Sequence, residues 1–122
     1  MDDGPGRVAA PMAEKSAEQT LEEFTDAVNM SADELERWLE SDESRSVGQG
    51  GEGEESTGHQ MGRRIVAIRR TKEKDLDDDD YAAMRKVVGY VHRHRSQEPT
   101  KEDIETSKWR YSLMNWGNDP LK

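Results

Sequence analysis

Residues 77–95 read DDDDYAAMRKVVGYVHRHR, and this stretch decides the fold class. Its apolar residues recur every three or four positions, which is the period of one face of an α-helix. They are Tyr81, Met84, Val88 and Val91, with Val87 beside them. Carboxylates precede the stripe, and negative charge stabilises a helix N-terminus. The pattern therefore predicts a helix over about residues 79–95.

The first two predicted helices begin at capping-box spacings. Thr20 with Glu23, and Ser31 with Glu34, have the spacing of a capping box, in which a hydroxyl and a carboxylate each accept a hydrogen bond from an otherwise unpaired backbone N–H. Apolar residues follow each pair at helical intervals. We therefore expect one helix from about Thr20 and a second that fades after Ser41, joined by a short turn.

Two more helices complete the predicted set. The spacing of Met61, Ile65 and Ile68 predicts a helix over about 59–72. A fifth helix should open at Thr100, and Gly117 is placed to cap its end. Because no strand pattern occurs, the sequence predicts an all-α fold, a small orthogonal bundle of about five short helices.

The remaining segments lack periodicity. Hydrophobic residues make up 31% of the chain and charged residues 37%, so the apolar area is too small to order every residue. We expect residues 1–18 to form a disordered N-terminal tail, because they are small and polar and contain proline and glycine. The Gly/Glu-rich segment 44–57 is expected to be a flexible loop. A single helical domain should then cover residues 19–122.

Charge is distributed unevenly along the chain. The net charge is −9. Residues 1–60 contribute −12, residues 61–95 contribute +4, and residues 96–122 contribute −1. A basic middle inside an acidic chain is the electrostatic feature that points to a partner. The acidic total is also typical of proteins in high salt, and the sequence leaves that alternative open.

The basic residues of the third and fourth predicted helices form a candidate DNA-binding surface. Phosphate backbones attract such clusters because binding releases condensed counterions. The candidate residues are Arg63, Arg64, Arg69, Arg70, Arg85, Lys86, His92 and Arg93, with Arg95 beside them. If the two helices are adjacent, their basic faces would merge into one patch.

Two alternatives compete with DNA binding. The arginines could instead pair with Asp77–Asp80 and with carboxylates of the acidic first half, because charge runs are often intramolecular partners. The same patch could also bind an acidic protein partner, which would make the chain an interaction module or a stress-associated structural module.

No pattern in the sequence predicts catalysis, a metal or a cofactor. The chain contains no cysteine, which excludes thiol catalysis and cysteine-rich zinc sites. His92 and His94 diverge on a helix, and His59 falls in predicted loop sequence, so no metal-ligand spacing is present. The serines of 44–57 have no evident base beside them. We therefore expect a protein without enzymatic activity.

The expected compartment is the cytoplasm. No apolar run approaches the roughly 18 residues of a membrane span. The N-terminus opens with Asp2 and Asp3 and lacks the basic start and apolar stretch of a signal peptide.

The aromatic residues are expected to pack in the core. Trp109, Leu113 and Trp116 have helical spacing, and large rings cover the most area per residue. An alternative for Trp109 and Tyr111, which stand beside Lys108 and Arg110, is stacking on nucleic-acid bases.

Four long strings of this sequence resemble one family of small microbial proteins, the domain of unknown function 3140. The strings are VNMSADELERWLESDESRSVG at 28–48, STGHQMGRRIVAI at 56–68, MRKVVGYVHRH at 84–94 and KWRYSLMNWGNDPLK at 108–122. The resemblance covers roughly residues 20–122. Some family members carry the label "DNA-binding protein", and the family has no agreed catalytic residues, so the resemblance implies none here.

Overall fold

The stretch that decides the fold class forms the longest helix of the described chain. The computed structural model describes residues 16–47, 57–100 and 103–122. They contain six α-helices and two 3₁₀ turns, and no strand. The helices are α1 Ala17–Ala27, α2 Ala32–Leu39, α3 Asp42–Ser46, α4 Thr57–Arg69, α5 Asp78–Arg95 and α6 Lys108–Asn115. The turns are Glu73–Asp75 before α5 and Ile104–Thr106 before α6. The predicted all-α class is confirmed, with one helix more than the five expected.

The helices enclose one apolar core. α1 packs along α5, α2 packs along α4, and α6 contacts α2, α3, α4 and α5. Every member of the stripe predicted on α5 except Tyr81 is buried, and Tyr81 packs against the core from its edge. The largest fully buried side chains include Phe24, Met30, Leu35, Ile65, Met84 and Leu113.

Of the two predicted capping boxes, the one at the start of α1 is wrong and the one at the start of α2 is confirmed. The Thr20 capping box is wrong, because the Ser16 hydroxyl caps α1 by accepting from the Gln19 backbone N–H at 3.1 Å. Thr20 lies within the helix and is only 1% exposed. The second box is confirmed, with Ser31 and Glu34 exchanging hydrogen bonds of 3.1 and 3.2 Å at the start of α2. Spacing alone does not distinguish the two, because a buried threonine and a capping threonine look alike in sequence.

The expectation of a loop over 44–57 is wrong at both ends. Ser41 caps the short helix α3, so Ser44 belongs to a helix and is fully buried. α4 begins at Thr57, which places His59 inside a helix and 6% exposed rather than in a loop. The expected loop residues 48–56, and residues 1–15 of the expected tail, lie outside the described residues. Because α1 begins at Ala17, the expected tail also extends too far.

The last helix begins later than predicted and ends as predicted. Ser107, not Thr100, provides the cap of α6 by accepting from the Arg110 backbone N–H at 3.1 Å. Gly117 has φ of +84°, the left-handed conformation that a C-terminal cap requires. The backbone N–H groups of Gly117 and Asn118 donate to the carbonyls of Met114 and Leu113. This pair of hydrogen bonds is a Schellman motif, so the predicted cap is confirmed.

The segment after α6 is bound to the turn between α1 and α2. The Asn29 amide donates to the Asp119 carbonyl at 3.0 Å, and the Asp119 N–H donates to the Asn29 side-chain oxygen at 2.8 Å. The Met30 N–H donates to the Gly117 carbonyl at 3.2 Å. A buried turn needs such partners for its backbone groups, and here residues some 90 positions away supply them.

Candidate nucleic-acid interface

The solvent face of α5 carries four of the predicted contact residues. Residues seven apart lie on nearly the same line of a helix, so Arg85 lies in line with His92 and Lys86 lies in line with Arg93. Gly89 separates the two lines. Lys86, His92 and Arg93 are exposed, and Arg85 is half-buried. We call these four side chains the basic face of α5.

The basic face forms no ion pair with the described residues. None of Arg85, Lys86 and Arg93 forms a salt bridge within the described ranges. No aspartate or glutamate occurs between Asp80 and Glu98, so the helix itself offers no nearby carboxylate beyond its first turn. The cations near its C-terminus also interact favourably with the negative end of the helix dipole. Helix stability therefore accounts for part of this charge.

Arg64 of α4 is paired with a carboxylate instead. Arg64 binds Asp80 at 2.9 Å, which ties α4 to the first turn of α5. Hydrogen bonds from the Asp77 backbone and from Arg64 hold the pKa of Asp80 below its ordinary value. This agrees with the expectation that some arginines pair with Asp77–Asp80.

Arg70, just after α4, is paired in the same way with the acidic first half of the chain. It binds Asp33 at 2.6 Å and Glu36 at 3.1 Å, both on α2. The hydrogen bonds that the Arg70 guanidinium donates to Glu36 and Asp33 raise its pKa. A guanidinium held by two carboxylates is a poor phosphate ligand, because a phosphate would have to displace them.

The two other arginines of α4 point in different directions. Arg63 lines a cavity of about 320 Å³ together with Glu36 of α2 and Glu40, which follows α2. Arg69 lines a separate cavity of about 280 Å³ against Phe24 of α1. α4 and α5 do contact each other, but Arg64 and Arg70 are already held by carboxylates. That the α4 arginines contact nucleic acid stays a prediction.

The aromatic side chains occupy packing positions. The Trp109 indole N–H donates to the His94 carbonyl at 2.6 Å, and the Trp38 indole N–H donates to Asn115 at 2.8 Å. Trp116 is 6% exposed. The packing interpretation of these rings is therefore confirmed, while Tyr111 lies against Trp38 with ring centroids 5.4 Å apart.

The structure contains a buried polar cluster that the sequence did not predict. The Asn115 side-chain oxygen accepts hydrogen bonds from Trp38 and from the Ser44 hydroxyl, and its amide donates to the Ser44 carbonyl at 3.1 Å. The His59 Nε2 donates to the Leu39 carbonyl. The sequence carries little indication of this cluster, because a lone asparagine, serine or histidine in polar sequence resembles a surface residue. The contact between Asn115 and Ser44 joins residues 71 positions apart.

A second polar cluster closes the C-terminal segment. Arg110 donates to both carboxylate oxygens of Asp119, at 3.1 and 3.0 Å. Burial opposes ionisation of Asp119, but the hydrogen bonds from Arg110 and from the Leu121 backbone outweigh it and hold its pKa below the ordinary value. Arg95, which flanks the candidate set, donates to Asn118 at 3.2 Å and so belongs to this cluster.

Neither a metal site nor a membrane-spanning helix is found among the described residues. Over residues 16–47, 57–100 and 103–122, no three histidine, aspartate or glutamate side chains converge on a point where they could hold a metal ion. Over the same ranges, no helix combines the length and apolar character that crossing a membrane requires.

Comparison with known proteins places the chain in a family. No curated protein and no solved structure matches it. A family model with the description "Protein of unknown function (DUF3140)" matches residues 23–114. The matched range runs from α1 to the last turn of α6 and includes the whole basic face of α5. Because the match covers well over half of the chain, this protein belongs to the DUF3140 family.

Proposed function

We propose that this protein is a non-catalytic DNA-binding accessory protein that contacts the phosphate backbone through the basic face of α5. The observation that carries the proposal is that Arg85, Lys86 and Arg93 form no salt bridge among the described residues, on a helix that has no carboxylate after its first turn. Cations that already bind carboxylates gain little from a phosphate. Unpaired ones release the counterions condensed on the nucleic acid.

The shape of the face suits backbone contacts better than reading of bases. Ala82 and Gly89 lie along its middle, and neither has a side chain that reaches a base edge. The long cationic side chains lie on either side, where the phosphates of a groove would be. We therefore expect binding with little sequence preference.

The affinity should fall steeply with salt. For three phosphate contacts, the logarithm of the association constant should fall against the logarithm of salt concentration with a slope of about −3. The test is a fluorescence-anisotropy titration of a mixed-sequence duplex at several salt concentrations. The variant K86E/R93E should bind much more weakly, with a slope of about −1.

A matched variant controls for net charge. K72E/K74E makes the same change in charge on exposed lysines of the connection between α4 and α5. It should retain most of the affinity if the basic face of α5 is the contact surface. Equal weakening by both variants would show a response to net charge alone, and no binding by the wild type at low salt would reject the proposal.

The competing hypothesis is that the same face binds an acidic protein. Nothing in the geometry of the face favours it over a phosphate backbone, so it enters as an outcome of the test. Polyglutamate matched in charge to the duplex is the competitor. Displacement of the duplex at equal charge concentration would favour the acidic-partner hypothesis, and displacement only at large excess would favour nucleic acid.

A further inference from the structure

The outer side of α1 carries a line of carboxylates. Glu18, Glu22 and Asp26 follow one another at four-residue intervals, so they lie along one side of the helix. All three are exposed, whereas the buried residues Thr20 and Phe24 lie on the opposite side. We call these three carboxylates the acidic face of α1.

The acidic face forms no ion pair with the described part of the chain. None of its three members takes part in a salt bridge there. No lysine or arginine occurs between Lys15 and Arg37, so α1 itself offers no cation to neutralise the face. The acidic face is therefore the counterpart of the basic face of α5, whose helix has no carboxylate after its first turn.

The two faces match in length as well as in charge. An α-helix rises by about 1.5 Å per residue, so the line from Glu18 to Asp26 is about 12 Å long. The line from Lys86 to Arg93 on α5 is about 10 Å long by the same measure. An α1 helix laid against the basic face would therefore bring both ends of its carboxylate line within reach of a cation.

Gly89 extends the positive charge to the middle of the basic face. It has no side chain, and the Arg93 guanidinium lies over it, with Nη1 3.1 Å from the place that a Cβ atom would occupy. Positive charge is therefore present between the two ends of the face. The middle carboxylate of the acidic face, Glu22, would also meet a cation.

The two faces of one molecule do not pair with each other. α1 packs along α5 with its buried side, which places Phe24 and Ala27 in the core. The carboxylates lie on the opposite side of α1 and point to solvent. Each molecule therefore presents two complementary charged faces, and the described residues neutralise neither of them.

We propose that the acidic face of α1 docks on the basic face of α5 of a second copy of this chain. Charge complementarity selects the pairing and its register. Each copy carries both faces, so the contact is repeated, either within a two-fold dimer or from copy to copy along a chain. Because a single exposed ion pair contributes little, the association is weak and depends on several pairs acting together.

The self-association competes with the DNA contact proposed above. A basic face covered by α1 of a second copy is closed to a phosphate backbone, so the two occupants exclude each other. The self-association itself does not depend on DNA binding. It can therefore be measured on the full chain without nucleic acid.

The first measurement is sedimentation velocity over a range of protein concentrations at low salt and at about 1 M salt, where the Debye length falls to about 3 Å. The sedimentation coefficient should rise with protein concentration at low salt and keep the monomer value at high salt. Salt relieves the general repulsion between copies of net charge −9, so it would strengthen any association that is not made by paired charges. A monomer at every concentration, or association that strengthens with salt, would overturn the proposal.

Charge reversal provides the sharper test. The variants E18K/E22K/D26K and K86E/R93E should each associate at least about tenfold more weakly than the wild type, because each presents like charges on both faces. An equimolar mixture of the two should associate again. In the mixture the new lysines of α1 meet the new glutamates of α5, and the unchanged faces meet each other. If both variants are folded by circular dichroism and their mixture stays monomeric, the pairing is rejected.

Two controls separate the pairing of faces from other effects of charge. K72E/K74E matches K86E/R93E in charge and should associate as the wild type does. E18K/E22K/D26K turns three carboxylates into ammonium groups and changes the net charge from −9 to −3, so greater repulsion cannot explain its loss of association. This variant keeps the basic face of α5 and should still bind duplex DNA, so failure of one proposal can be told apart from failure of the other.

Discussion

Gly62 is the position at which the packing of α4 can be tested most directly. A Cβ atom at this residue would lie 2.6 Å from the backbone carbonyl oxygen of Asn115. It would also lie 2.7 and 3.0 Å from the two Leu39 methyl carbons. The absence of a side chain at this one residue therefore allows α4 to approach α6 and α2 as closely as it does.

The expected cost of Gly62→Ala follows from these distances. Overpacking a well-packed core costs about 1–3 kcal/mol, and the upper end applies because a backbone carbonyl cannot rotate away. Alanine is better than glycine within a helix by about 1 kcal/mol, which offsets part of the cost. We expect a net loss of about 2 kcal/mol, which corresponds to a fall in Tm of roughly 8 °C for a domain of this size.

The assay is urea unfolding followed by tryptophan fluorescence, with Gly89→Ala as the control. There the added Cβ would meet only the Arg93 guanidinium at 3.1 Å, the far end of a flexible side chain. Gly89→Ala should therefore be stabilising by up to about 1 kcal/mol. If Gly62→Ala proved as stable as Gly89→Ala, the close approach of α4 to α6 would be refuted.

Two further substitutions test single side chains. Thr20→Val should raise the free energy of unfolding by about 1 kcal/mol, because it removes a buried hydroxyl that has no partner among the described residues. If Thr20 were the helix cap that its spacing suggests, the same change would cost about 1 kcal/mol in a urea melt. Asp119→Asn should cost about 3 kcal/mol at pH 7, because it breaks the two-bond contact with Arg110 within a largely buried pair. Since the pKa of Asp119 is lowered on folding, its contribution is complete above its ordinary value of 3.8 and is lost as the pH falls through the lower folded value, so the stability difference between wild type and variant should persist at pH 4 and shrink only below pH 3.8.

The helices could be predicted where the evidence for them is local. α5 was expected over about 79–95 and spans Asp78–Arg95, because its stripe, its acidic start and its end all lie within the helix itself. Ser31 and Gly117 were recognised as caps for the same reason. Thr20 was misassigned because its environment is set by α5, which packs against α1 from a distant part of the sequence.

The candidate surfaces could be predicted only in part. The sequence identified the cations of α4 and α5 together, since charge is visible in composition. It did not separate Arg70, whose carboxylate partners lie 34 and 37 positions away, from Arg93, which has none in the described chain. The cavity lined by Tyr90, His94 and Trp116 had no signal in the sequence, because its wall joins residues from α4, α5 and α6.

The amino-acid sequence by itself determined the helical class, the caps at Ser31 and Gly117, and the presence of a basic segment. These depend on a period of 3.6 residues and on contacts within a few positions, so they can be read without knowledge of the fold. The tertiary structure alone decided which cations remain unpaired among the described residues, that His59 and Ser44 are buried, and that Gly58 lies against the Trp116 indole. Ion pairs, burial and cavities depend on distances between segments far apart in the chain, and those distances exist only once the helices have packed.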